Sequence, residues 1–248
     1  SLVFWGSYLL AARVCPGNQT LAFIVATIVP LTLPYFLNYS TNWGTGFAAL
    51  PLAAYALFIE GGLARSLKWM VFASALLALA DPIHVFPALG TAVVGLAILF
   101  RKFPIKNLVL GMVVYSLMSF ALWHEFLFAN ILAAGISNRE YVWGLDQLPF
   151  WSVAANVILS SYTFTDVAFS FLLVAIICLI FRKDTYATRA FGSALSVIFI
   201  ILFVTLFPWS IVGLDFVGKL SHQYMYMALP VLLVPILTRA MAGFQMST

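Results

Sequence analysis

Charge is what this sequence has least of. Of its 248 residues only 8% are Asp, Glu, Lys or Arg, against 64% apolar. A soluble domain averages about a quarter charged residues, so an ordinary water-soluble surface is excluded. The net charge of +4 rests on basic residues scattered among loops, which excludes a nucleic-acid footprint. Cysteine is down to Cys15 and Cys178, both placed near cytoplasmic helix ends, where thiols stay reduced. There is no Gly-rich phosphate loop, no Ser nucleophile elbow and no thiolate metal site. Internal repeats, low-complexity tracts and soluble domains are absent too. An initiator Met is also missing: Ser1-Leu2-Val3-Phe4-Trp5 is apolar from the start, with no basic n-region before it. Residues 1–248 therefore read as one transmembrane helical domain, the C-terminal part of a longer chain.

What is there is apolar runs, too long and too frequent for a globular core. A barrel needs short alternating segments instead. The fold class is all-α, a polytopic transmembrane bundle of nine membrane helices. These run Leu2 to Arg13, Leu21 to Leu37, Phe47 to Glu60, Leu67 to Ala80 and Ile83 to Phe100. The later ones run Asn107 to Glu125, Asp166 to Phe181, Ala190 to Phe207 and Gln223 to Arg239. The stretch Phe126 to Ile136 cannot cross again without breaking the alternation, so it is expected at the outer interface or re-entrant. Trp151 to Ser161 carries Ser152, Asn156 and Ser160 on one helical face and reads as an interfacial helix on the outer side. Several spans are short. The fourth has about 14 residues, or ~21 Å, against a ~30 Å hydrocarbon core. Such ends are tolerated where they line a wet cavity, which predicts a polar recess opening to the outer face.

Orientation comes from the basic residues. Arg13, Arg65, Lys68, Arg101, Lys102, Lys106, Arg182, Lys183, Arg189 and Arg239, ten of the twelve Lys and Arg, fall in alternate connections. Only Arg139 and Lys219 fall in the others. By the positive-inside rule the ten face the cytoplasm, the C-terminus with them, in an integral multi-pass membrane protein. Of the eight acids only Glu60 and Asp184 share that side. Asp81, Glu125, Asp146 and all three histidines, His84, His124 and His222, lie on the other.

Candidate chemistry therefore gathers on the outer side. Asp81-Pro82-Ile83-His84 brings a carboxylate and an imidazole within one turn, a pair able to ligate a divalent metal. Asp before Pro is equally a standard helix start, with Asp as N-cap and Pro at the first helical position, and the two readings are compatible. His124 and Glu125 are adjacent, about 100° apart on a helix, so they do not easily face one ligand together; they are a candidate ligand pair or else interfacial anchors. Arg139, beside Glu140, offers a planar fork for phosphate or an ordinary loop ion pair. Lys219 and His222 precede the last helix, where they either hold an anionic head group or, with Tyr224 and Tyr226, anchor the helix in the interface.

The layout resembles that of the GT-C-type membrane glycosyltransferases and, within them, the bacterial YfhO-like multi-pass proteins. The likeness rests on Pro34-Tyr35 with Pro51-Leu52 and Tyr55, and on His124-Glu125-Phe126 leading to Ser137-Asn138-Arg139-Glu140. It rests also on Tyr224 and Tyr226 followed by Leu229-Pro230. The resemblance implies transfer of a sugar from a polyprenyl-phosphate donor to an acceptor on the extracytoplasmic face. Arg139, His222, Lys219, His124 and Glu125 would bind the lipid phosphate and sugar, and Asp81 and His84 would support a divalent metal, Mg or Mn. The family pattern has His after the Ser at Ser137 and Arg at the last-helix entry, where Asn138 and His222 stand here. Its catalytic acid lies in a first outside loop, upstream of Ser1. Membrane lipid, the polyprenyl-phosphate sugar and a membrane protein complex are the expected partners. A non-catalytic membrane subunit or scaffold is the alternative function, with a transporter behind it because no inverted repeat is visible.

Overall fold

The computed structural model describes residues 2–32, 42–60, 63–79, 82–132, 167–207 and 225–243. These residues form nine α-helices and no strand. In chain order they are α1 Leu2–Val14, α2 Gln19–Leu31, α3 Asn42–Phe58, α4 Leu63–Ala78, α5 Pro82–Phe100 and α6 Ile105–Leu132, then α7 Val167–Phe181, α8 Tyr186–Leu206 and α9 Ala228–Ala242. The expected all-α class is observed. Among the described residues, two segments are long and apolar enough to cross a membrane unaided, Ile105–Leu122 in α6 and Tyr186–Val204 in α8. The lengths of the other helices do not support nine full crossings.

The helices begin and end where local chemistry dictates. Asn18 caps α2, its side-chain oxygen accepting from the Leu21 amide at 2.8 Å, which satisfies one of the orphan donors of the first turn. Helices α5 and α7 close in the same way. Arg101, directly after α5, and Lys183, two residues after α7, sit in the left-handed region at φ 52° and 55°. The Lys102 amide then donates to Ala97 and that of Asp184 to Leu179, both at 3.1 Å. This is the Schellman pattern, with a cation where glycine is usual. The cation costs backbone strain but suits the negative end of the helix dipole.

The expected break after Glu125 is absent: α6 runs on to Leu132 as one helix of 28 residues. No Gly or Pro interrupts the chain between Leu110 and Leu132 apart from Gly111, so a lone carboxylate did not end the helix. The remainder of the predicted re-entrant stretch and the predicted interfacial helix at Trp151 to Ser161 lie outside the described residues.

Helix α9 is the hub. Twelve of its fifteen residues are buried, and it packs against α1, α2, α3, α5 and α8. A helix apolar on every side belongs at the centre of a bundle. Around it, α1 packs on α2 and α3, α3 on α4, α4 on α6, and α5 on α8. Close approach depends on small residues. At Gly6 of α1 an added Cβ would meet the Leu52 amide nitrogen and lie 2.9 Å from the Pro51 carbonyl carbon, both backbone atoms of α3. The α5–α8 contact is pinned by Ser193, whose hydroxyl donates to the Gly95 carbonyl at 2.7 Å.

The outward faces are apolar as well. On α7, Ala168, Leu172, Ala175, Ile176 and Leu179 are buried, while Phe169, Phe171, Leu173, Val174, Ile177 and Ile180 are exposed. On α8 the exposed stripe is Phe191, Leu195, Phe199 and Phe203, one residue per turn. The helix directions bring all ten of the described Lys and Arg to one end of the bundle.

Candidate functional site

Most of the residues singled out from the sequence lie beyond what the structure describes. Asp81, Arg139, Lys219 and His222 are outside the described residues, as is the side chain of His84, whose backbone falls in the first turn of α5. His124 and Glu125 are described. Both are exposed on the last third of α6, and the His124 ring lies 5.8 Å from that of Phe120. They stand at the end of the bundle remote from the ten cations. Among the described residues no three His, Cys, Asp or Glu side chains gather in a way that could hold a metal ion. The divalent metal is therefore left without a described donor set, and no chemistry is routed through one.

Two concave features are described in full, and neither was anticipated. The first is an apolar groove between α3, α4, α5 and α6, with a volume of about 290 Å³. Leu57, Met70, Leu77, Val93 and Tyr115 are among its walls, and Phe103 and Met112, both half exposed, stand at its mouth. Along α5 it reaches from Val85 to Val94, roughly 14 Å at 1.5 Å per residue. Gly90 leaves open space in the wall, since a Cβ there would have no neighbour within 4 Å. Besides Tyr115, the only hydroxyl in the lining is that of Ser74. A groove so lined suits an apolar ligand.

The second is a charged cleft of about 470 Å³ at the basic end. It is built where five helix ends converge. Helix α1 delivers Arg13 and α9 delivers Arg239 from their last turns. Glu60 follows α3, Lys102 follows α5, and Asp184 with Tyr186 and Arg189 opens α8. The two acids organise it. One Glu60 oxygen accepts from Arg13 Nη2 at 3.1 Å and from Lys102 Nζ at 3.2 Å. The hydrogen bond from Lys102, then the charges of Arg13 and Lys102, hold the Glu60 carboxyl below its usual 4.5. Asp184 lies just before α8, one oxygen accepting from the Tyr186 amide at 2.8 Å and the other from Arg239 Nε at 3.1 Å. Arg189 is placed differently. Its Nη1 donates to the Leu99 carbonyl at 3.3 Å and its Cζ lies 5.0 Å from the Tyr186 ring centre, within cation–π range.

A signal for this cleft existed in the sequence. Glu60 and Asp184 are the two acids on the side otherwise occupied by cations, and both prove to be its organising groups. Comparisons with protein-family models, with curated proteins and with solved structures find no match for the chain.

Proposed function

We propose that the chain is a multi-pass membrane protein that holds the hydrocarbon tail of a lipid-linked substrate in the groove between α3, α4, α5 and α6. In this reading it serves GT-C-like transfer of a sugar from a polyprenyl-phosphate donor on the extracytoplasmic side. The observation that carries the membrane reading is the disposition of polarity. The apolar window Ile105–Leu122 of α6 is only 17% buried, so its surroundings in water would be unfavourable by the ordinary hydrophobic term. The described Lys and Arg lie together at one end. An ion at the centre of a bilayer costs on the order of 2.5–3.5 kcal/mol on insertion scales, and none need be placed there. Helix α6, at 28 residues, measures ~42 Å, more than the ~30 Å core.

The transfer reading rests on the resemblance of the His124-Glu125-Phe126 and Ser137-Asn138-Arg139-Glu140 segments, and the groove adds a place for the donor's tail. Arg139, Lys219 and His222 would neutralise the polyprenyl phosphate as it leaves, the step at which fixed cations contribute most. His124 and Glu125, at the end of the bundle remote from the ten described cations, would face the sugar.

The test is transfer from a labelled polyprenyl-phosphate sugar by the chain reconstituted in nanodiscs. Filling the groove with Gly90→Trp is expected to raise KM at least tenfold with little change in kcat, and Arg139→Ala to lower kcat. No transfer by the unsubstituted chain would leave the non-catalytic subunit as the better account. The apolar outward faces of α7 and α8 would then be surfaces for neighbouring helices.

A further inference from the structure

The charged cleft lies at the end of the bundle opposite His124, Glu125 and the start of α5, so sugar transfer on the outer side makes no use of it. We propose that it binds a phosphate-bearing anion, either a lipid head group or a soluble phosphate, on the cytoplasmic side.

Charge is the first reason. Arg13, Lys102, Arg189 and Arg239 line the cleft against Glu60 and Asp184, four positive groups and two negative ones. The C-terminal dipoles of α1, α3, α5 and α9 offset part of the difference, but the side chains alone leave two positive charges over. A phosphate monoester carries about −1.5 to −2 at neutral pH and balances that surplus.

Geometry is the second. Arg189 makes no ion pair among the described residues and is held only by a long bond to a carbonyl and by the Tyr186 ring. Its position is set while its charge is uncompensated. Among the described residues Arg239 pairs with a carboxylate through Nε alone and Arg13 through Nη2 alone, so each keeps further guanidinium donors for oxygens. Planar guanidinium forks bind phosphate oxygens in pairs. The third reason is Tyr186. It lines the cleft, it is 9% exposed, and its hydroxyl is buried with no hydrogen-bond partner among the described residues. A buried polar atom left in that state calls for an explanation, and an anion drawn in among the arginines supplies an acceptor within the same group of side chains. The volume of about 470 Å³ exceeds what one phosphate fills and leaves room for the remainder of a head group.

The proposal is tested on the full chain in nanodiscs of phosphatidylcholine, with the unfolding temperature as the readout, since a ligand that binds only the folded state raises it. One arm titrates inorganic pyrophosphate. The other replaces a tenth of the lipid by phosphatidic acid. A saturable rise in the first arm identifies a soluble source, and a rise confined to the second identifies a lipid. In the responding arm, Arg189→Gln is expected to weaken binding at least tenfold. Arg65→Gln, at the same end but outside the cleft, should leave it unchanged. Lys102→Gln, at an exposed side chain, is expected to weaken binding severalfold and keeps the test decisive should Arg189→Gln fail to fold. No rise in either arm overturns the proposal. So does equal weakening by the Arg65 and Lys102 variants, which would mean a diffuse field rather than a site.

Discussion

Gly6 offers the sharpest test of how these helices are held together. Replacing it with Ala has two opposed consequences. Helix propensity improves by ~0.8–1 kcal/mol, as for any interior Gly→Ala change. The new methyl, however, would press on the Leu52 amide nitrogen and stand 2.9 Å from the Pro51 carbonyl carbon and 3.0 Å from the Leu52 Cα. Backbone atoms of a packed helix cannot rotate aside as a side-chain tip can. Helix α1 must move off α3, with an overpacking cost of ~1–3 kcal/mol. The internal reference is Gly192 of α8, where a Cβ would meet nothing nearer than Ile98 Cγ2 at 4.0 Å. There the propensity gain acts alone. Both glycines are interior to helices, so the propensity term cancels in the difference between the variants. What remains is the α1–α3 contact. Gly192→Ala is expected to stabilise by ~0.5–1 kcal/mol, and Gly6→Ala to fall ~1–3 kcal/mol below it. Unfolding in mixed micelles by titration with a denaturing detergent, followed by circular dichroism, measures both. A Gly6→Ala variant as stable as Gly192→Ala would refute the close approach of the two helices.

Three further outcomes are expected. Lys183→Gly should raise stability by ~0.5–1 kcal/mol, because glycine reaches the left-handed conformation after α7 without Cβ strain; the same unfolding titration checks it. Asn107→Ala should lower stability by ~0.5–1.5 kcal/mol, since the Asn107 side chain donates at 2.8 Å to the Leu57 carbonyl in the last turn of α3. Acid should act through Glu60, whose carboxyl is held below its usual 4.5 by Lys102 and Arg13. A depressed folded value makes its contribution complete above 4.5 and lost as the pH falls through the folded value. Unfolding temperatures of the parent and Glu60→Gln chains should therefore converge as the pH drops below that window, and convergence at pH 6 would contradict the pairing.

Much of the helical framework was legible, because it is written in one-dimensional signals. Phe100 and Phe181 bound helices both in the sequence reading and in the structure, since a cationic stop follows each. Errors arose where a polar residue was taken for a boundary. Helix α3 starts at Asn42 rather than Phe47, because a first turn tolerates polar side chains, and α6 passes through Glu125 because an exposed carboxylate does not break hydrogen bonds. The burial pattern of α9 could not be read at all: a run apolar on every side is the same in sequence whether lipid or protein covers it. The two concave features were hidden for a related reason. Residues 13, 60, 102, 184, 189 and 239 meet only after five helix ends converge, and the groove is a gap between four helices. Only the misplaced acids, Glu60 and Asp184, hinted at the first, and nothing hinted at the second.

The centrality of α9 also bears on the order of assembly. Helices α1, α2, α3, α5 and α8 all rest on it, yet it is the last of the described helices to leave the ribosome. Between Phe58 and Ala228, synthesis at ~5–20 residues per second takes on the order of 10 s. Throughout that interval the early helices have each other but lack their shared partner. The nascent bundle must wait half-made, with the faces meant for α9 against lipid or a chaperone. Arrested synthesis before residue 228 would release a chain with its centre missing, a natural signal for quality control to recognise.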